Sequence, residues 1–169
     1  MSWVIDPFHT LVEFSVVHLT INIVKGRFKE VRGSIYLDNR QPDKSWVKAQ
    51  VNTASIDSGI IARDNQLRSA NFFDVATYPT VTFASTVVQQ TGPKSGMVTG
   101  DLTLRGVTYP VSFQTEFNGT VRDPETGGQR LGFFAAAIID RRAFNMLQPP
   151  QEFIGNEVRI ELHIEAVEM

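Results

Sequence analysis

The side chains best suited to acid–base or metal chemistry are three imidazoles, His9, His18 and His163, and they stand far apart in the chain. No two lie at metal-ligand spacing. Cysteine is absent, which excludes disulfides, thiolate zinc sites, a cysteine nucleophile and Cys-ligated iron–sulfur clusters. A Gly-x-Ser-x-Gly elbow, a glycine-rich phosphate loop and an EF-hand loop are missing as well. No metal, no cofactor and no catalytic residue is therefore expected. His163 falls on the polar side of an alternating segment and reads as a surface residue, and His9, following Asp6-Pro7, reads as the fixer of a turn. His18 shares the parity of Phe14 and Val16. It either points inward, where a neutral imidazole can hydrogen-bond a ligand head, or bonds backbone at a rim. Two charged clusters remain, Arg63-Asp64 and Asp140-Arg141-Arg142. Each either holds local structure through salt bridges and caps or clamps a polar ligand head.

The 169 residues carry 16 Lys plus Arg against 18 Asp plus Glu, a formal charge of −2, so the cationic surplus of a nucleic-acid binder is missing. A nucleic-acid partner is not expected. No apolar run approaches the length of a membrane-spanning helix, and Met1 to Pro7 lack the basic and apolar regions of an export signal. The expectation is a single domain over 1–169 with no transmembrane segment, placed in the cytoplasm, or in the periplasm if Trp3 lies just behind a trimmed mature end. Phe dominates the aromatics, 12 against 3 Tyr and 2 Trp. Because Phe has no polar tip that needs a partner, this bias points to a large dry apolar space.

The elements that must position these groups follow a period of two. Val158, Ile160, Leu162, Ile164 and Ala166 alternate with Arg159, Glu161, His163, Glu165 and Val167. Eight strands are expected, over 10–18, 26–38, 45–55, 80–90, 96–105, 107–121, 129–140 and 157–168, joined mostly by hairpin-sized breaks rich in Gly, Pro, Asp and Asn. Between the third and fourth, Ile60, Ile61, Asp64 and Leu67 fall at helical spacing behind Ser58, which predicts a short helix with Ser58 as its N-cap. A second irregular connection spans 143–156. Long antiparallel strands joined by short turns leave open edges unless the sheet closes, so the expected fold is an all-β, eight-stranded antiparallel barrel with the short helix crossing one end.

A barrel of this size is either filled by side chains or holds one small ligand, and its lining decides. The inward candidates are Phe14, Val16, Val81, Phe83, Leu102, Leu104, Val111, Phe113, Phe117, Ile160, Leu162 and Ile164, with His18, Phe28, Phe133 and Ala135 completing the candidate ligand-binding set. Such a wall suits an elongated apolar cavity and an apolar ligand. The seventh strand looks dry on both faces, since Gly132, Phe134, Ala136 and Ile138 back Leu131, Phe133, Ala135, Ala137 and Ile139. Its outer face is expected to lie under the helix or a loop, or in a homodimer interface. The small residues Gly132, Ala135, Ala136 and Ala137 are expected to leave room inside.

The residues become specific when taken in order. Trp3 to Thr10, Val12 to Leu19, Val24-Lys25-Gly26-Arg27-Phe28, Ser55 to Gly59, Arg63-Asp64, Leu67-Arg68-Ser69, Phe72-Phe73-Asp74, Tyr78 to Phe83, Gly100 to Thr108, Ile139-Asp140-Arg141, Phe144 and Gly155 to Val158 resemble the YceI-like family over essentially the whole chain. One departure is Asn145, where that family usually has Gly after the Phe. Asn tolerates left-handed backbone better than most residues, which keeps the turn accessible. The resemblance implies a lipocalin-like barrel whose tunnel holds a polyisoprenoid, such as an isoprenoid quinone or a polyprenyl phenol. It further implies a bacterial protein, a role in lipid transport, storage or stress, and homodimers in some members. The expected partner is thus an isoprenoid lipid. Three other readings stay open: a fatty acid or fatty amide in the same tunnel, an enzyme acting on an isoprenoid lipid through His18, Arg63, Asp64, Arg141 and Arg142, and a ligand-free module with a filled barrel.

Overall fold

Stretches of β-branched and aromatic residues alternating with polar ones fold almost wholly into strands. The computed structural model describes residues 1–169. The strands are β1 (Ser2–Ile5), β2 (Leu11–His18), β3 (Asn22–Phe28), β4 (Val31–Tyr36), β5 (Trp46–Asn52), β6 (Ile56–Asp57), β7 (Thr80–Gly92), β8 (Ser95–Leu104), β9 (Val107–Arg122), β10 (Gln129–Asp140) and β11 (Ile154–Glu168). The one α-helix, α1 (Ile61–Leu67), lies between β6 and β7.

The sheet closes because β11 pairs with β1, Trp3 opposite Glu168 and Ile5 opposite Ala166. Three staves are each broken in two, so the eleven segments make a closed barrel of eight antiparallel staves in chain order. β1 and β2 form the first stave, both beside β11. β3 and β4 form the second, against β2 and β1, and β5 and β6 form the third. Closure leaves no long unpaired edge.

These breaks correct the sequence reading. The strand expected over 26–38 is interrupted at Lys29-Glu30, and the one expected over 45–55 ends at Asn52 in a tight 3-10 turn, Thr53–Ser55. Both interruptions are one event. Lys29 and Glu30 donate their N–H groups to the Ser55 carbonyl (3.2 Å) and Oγ (3.0 Å), and the Asn52 N–H donates to the Glu30 carbonyl (3.0 Å). Phe28 and Val31 are both buried, so the inward alternation slips by one residue, as at a bulge. The same slip separates Trp3 and Ile5 on β1 from Phe14 and Val16 on β2. β1 itself is absent from the sequence expectation, since four residues carry too little alternation to stand out.

Strand direction gives the barrel two chemically distinct ends. The helical end carries the β2–β3 turn, α1, the β8–β9 turn and the segment between β10 and β11. The hairpin end carries the turns between β4 and β5, β7 and β8, and β9 and β10, with both termini. The helix expectation is met in position but not in capping. Ile60 occupies the cap position without a side-chain bond, while the Asp64 carboxylate reaches back to the Ser58 N–H (2.7 Å) and Oγ (2.5 Å). α1 packs on β6 and does not cover β10. The outer face of β10 is instead half-open: Phe134 lies 5.0 Å from the His163 ring, and Ile138 is 58% exposed.

Two apolar clusters hold the barrel. Trp3, Ile5, Ile35, Ile56, Leu131 and Ala166 belong to the first, and Leu104, Val111, Ala137, Ile139, Phe144 and Met146 to the second. Only 26 of 169 residues are buried, because many inward side chains border open space on one side.

Candidate ligand-binding cavity

That space is a cavity of about 1240 Å³, larger than the roughly 300–1,000 Å³ of ordinary small-molecule pockets. Its lining runs from His18, Arg63 and Phe153 at the helical end to Asp38, Pro42 and Lys94 at the hairpin end, so it follows the barrel axis. An interior filled by side chains is thereby overturned.

Every residue of the sequence-derived set lines this cavity except Val111. Val111 points inward but belongs to the cluster of Leu104, Ile139, Phe144 and Met146, which fills the barrel beside the start of β9. Parity alone cannot show that Phe144 arrives from a distant turn to plug that level. Of the small residues expected to make room, only Ala135 borders the cavity. Ala137 is packed in the second cluster, and Gly132 and Ala136 lie on the opposite face of β10. Sequence reasoning also passed over Val12, Val31, Val47 and Val51, which lie on the inward parity of their strands, and Phe73, which sits in a stretch with no period.

Aromatic rings make up much of the wall. Phe14, Phe28 and Phe73 form a triangle with centroids 5.7, 6.0 and 5.3 Å apart, and Phe83–Phe113 and Phe117–Phe133 pair at 5.2 Å. Two glycines let rings lie flat against the wall. A Cβ on Gly26 would come within 2.5 Å of Phe14 Cζ, and one on Gly100 within 2.6 Å of Phe83 Cζ. With Gly at both positions the rings lie back on neighbouring strands and leave the axis free.

The polar residues His18, Arg63, Asp64, Arg141 and Arg142 do not converge on one point of the cavity. Arg63 donates from Nε to Ser58 Oγ (2.8 Å) and from its terminal nitrogen to the Ser58 carbonyl, which braces the approach to α1. Burial works against ionisation of Asp64, but the bonds from Ser58 outweigh it and keep its pKa below the usual value. Arg141, 4% exposed, gives its guanidinium to the carbonyls of Met146, Gln148, Pro149, Ile154 and Gly155 and so staples the β10–β11 segment. Arg142 pairs with Asp140 at 2.7 Å. Asn145, at φ 62°, takes the left-handed conformation that the sequence reading left accessible to it. These contacts favour the structural reading of both charged clusters. His18 lines the cavity at its helical end, opposite Ile154 and Asn22.

The strongest polar network lies where β1, β10 and β11 meet. Arg130 reaches Asp6 (2.7 Å), Asp123 (2.6 Å) and Glu165 (2.9 Å), and His9 Nδ1 bonds Asp6 at 2.8 Å. His9 thus fixes the turn as expected. Burial alone would raise the Asp6 pKa, yet hydrogen bonds from Arg130, His9 and the Phe8 N–H hold it at about 2. Asp123 is held at about 2 mainly by Arg130. The hydrogen bond to Asp6 raises the His9 pKa above its usual value. Donor atoms of Asp6, His9 and Glu165 lie within 4.8 Å of one another, a spacing compatible with a cation. The Arg130 guanidinium already fills that role.

Comparison with known proteins agrees with this geometry. Residues 3–166 match the family described as the YceI-like domain. A Pseudomonas putida UPF0312 protein is 40% identical over 141 residues, covering 83% of this chain and 73% of the relative. One from Pseudomonas fluorescens is 36% identical over 159 residues, covering 94% and 81%. Among solved structures, Campylobacter jejuni YceI protein superposes with TM-score 0.81 at 26% identity, covering 90% of each chain. Burkholderia cenocepacia BcnA gives 0.87 at 22% identity over 95% of this chain and 98% of its own, a likeness of fold. A polyisoprenoid binding domain from Saccharophagus degradans gives 0.74 at 15% identity, covering 99% and 98%, again a likeness of fold.

Proposed function

Since the chain belongs to the YceI-like family, we propose that it binds the tail of one polyisoprenoid lipid along the barrel axis, for transport or storage and without catalysing a reaction on it. The observation that carries this reading is the cavity of about 1240 Å³ with its aliphatic and aromatic wall. A dry wall of this kind recognises length more than chemistry, because each buried CH₂ contributes roughly 0.8 kcal/mol. The polyisoprenoid binding domain of similar fold supports the choice of ligand class. A catalytic role lacks a convergent set of acid, base and nucleophile, with Arg141, Arg142 and Asp64 already engaged in structural bonds. The reading needs no cofactor.

Titration of the delipidated protein with prenyl alcohols of increasing length tests it. Affinity should rise with each added isoprene unit until the tunnel is full and then level off. Affinity independent of length, or tighter binding of a fatty acid than of a prenyl alcohol of equal carbon number, would overturn the assignment.

A further inference from the structure

The two ends of the barrel differ in the chemistry of their turns. At the hairpin end the turns run from Leu37 to Ser45, through Pro93-Lys94 and from Asp123 to Gly128, and the one Leu, Ile, Val or Phe among them, Leu37, is half-buried against the cavity. At the helical end the tips carry Leu19 and Ile21 after β2, Ile60 and Ile61 at the start of α1, and Leu147 and Phe153 before β11. Ile21 is 83% exposed, Ile61 80%, Leu147 60% and Phe153 54%. The Leu19 N–H donates to the Phe153 carbonyl at 2.9 Å, tying the hairpin to the neighbouring segment, and Val17 and Ile23 face each other just below.

The β2–β3 turn adds an independent observation. Leu19 and Thr20 hold φ of 52° and 63°, the region where a tight hairpin ordinarily uses Asn and Gly. A β-branched Thr is strained there, and such strain is kept where a site needs it. Here the turn sets Leu19 and Ile21, 43% and 83% exposed, at the tip of the β2–β3 hairpin.

The identity of the partner follows from the cavity. Ile23 and Phe153 line it and are also more than half exposed, so its apolar wall continues onto this outer surface. Aliphatic tips projecting separately from three segments suit a fluid apolar phase, into which side chains can insert below the head groups. We propose that the helical end docks on a phospholipid bilayer, inserting Leu19, Ile21, Ile61 and Leu147, so that a lipid tail passes between bilayer and cavity beside Ile23 and Phe153. The inference rests on the lipid-binding reading above.

Flotation with phosphatidylcholine vesicles tests it, since their neutral surface removes net charge attraction. Wild-type protein should float with the vesicles. Ile21→Ser/Ile61→Ser/Leu147→Ser, at positions that do not line the cavity, should lose at least tenfold in partitioning, whereas Val87→Ser/Val121→Ser, on exposed parts of β7 and β9, should partition as wild type. Each variant's fold is checked by its melting curve, with Ile21→Ser alone, expected to lose about threefold, as the milder version. In parallel, each protein is loaded with a polyprenol from detergent micelles. Lost flotation with loading retained supports the proposal. A wild-type protein that loads from micelles but does not float, or a triple variant that floats unchanged, overturns docking and leaves the cavity reading intact. Failure of the wild type to load at all overturns both. If the triple substitution instead converts a dimer to a monomer, the surface belongs to a second copy and the proposal fails.

Discussion

Gly26 and Gly100 govern how much of the axis stays open, because a methyl group at either would come within 3 Å of a phenylalanine ring and force it to move. Gly26→Ala should push Phe14 toward the axis, lower stability by about 1–3 kcal/mol and reduce bound lipid together. A chemical denaturation curve and the lipid-to-protein ratio read the two effects separately. Ala135 is the complementary position, buried on β10 with its methyl at the cavity edge. Ala135→Trp should cut lipid occupancy while the protein stays folded, since the ring can enter space that is already empty. Unchanged occupancy would remove Ala135 from the wall. Asn145 carries a different constraint, its φ of 62°. A β-branched residue there pays the left-handed strain, so Asn145→Val should cost about 1–2 kcal/mol and Asn145→Gly should be neutral or mildly stabilising, as measured by urea unfolding.

At the scale of elements, the sealing of the barrel depends on a strand of four residues. β1 buries Trp3 and Ile5 and brings Asp6 to Arg130, so the closing seam combines apolar packing with a charge network. Both Asp6 and Asp123 have folded-state pKa values near 2, below the ordinary carboxylate value of 3.8. Their contribution to stability is therefore present above about pH 4 and is lost as pH falls toward 2. His9 has the opposite sign: its raised pKa stabilises fully below about 6.5 and fades as pH rises through the folded value. Stability measured against pH should fall on the acid side. Arg130→Met should lower stability at neutral pH and flatten the acid limb, since the carboxylates of Asp6 and Asp123 lose the cation that holds their pKa values down. An acid limb as steep as wild type in that variant would place the titrating groups elsewhere. The same scale explains what could be read in the chain. The long strands from β7 to β11 were legible because each repeats its alternation several times. β1 and the matched break at Lys29-Glu30 and Thr53–Ser55 were not, because a one-residue slip depends on hydrogen bonds to a distant strand.

The whole molecule trades core for cavity. Its wall could be read from parity, since Phe14, Val16, Phe83, Phe113 and Ile160 all lie on the inward set and all line the space. Val111 and Phe73 could not, because Phe144 and the aperiodic stretch around Phe73 reach their places only through tertiary packing. A hollow interior forfeits the contacts that a filled one would make, and an occupant that binds only the folded state restores stability. Ligand at one hundred times its Kd adds about 2.7 kcal/mol, so lipid-loaded protein should melt several degrees above the delipidated form. Equal melting temperatures would mean that the cavity gains nothing from its occupant. The most direct measurement is organic extraction of the protein purified without detergent, followed by mass spectrometry of what is released. The account predicts one polyprenyl lipid per chain in the wild type and markedly less in Ala135→Trp. A folded wild-type protein that releases nothing from isoprenoid-rich cells, or releases only fatty acids, would contradict it.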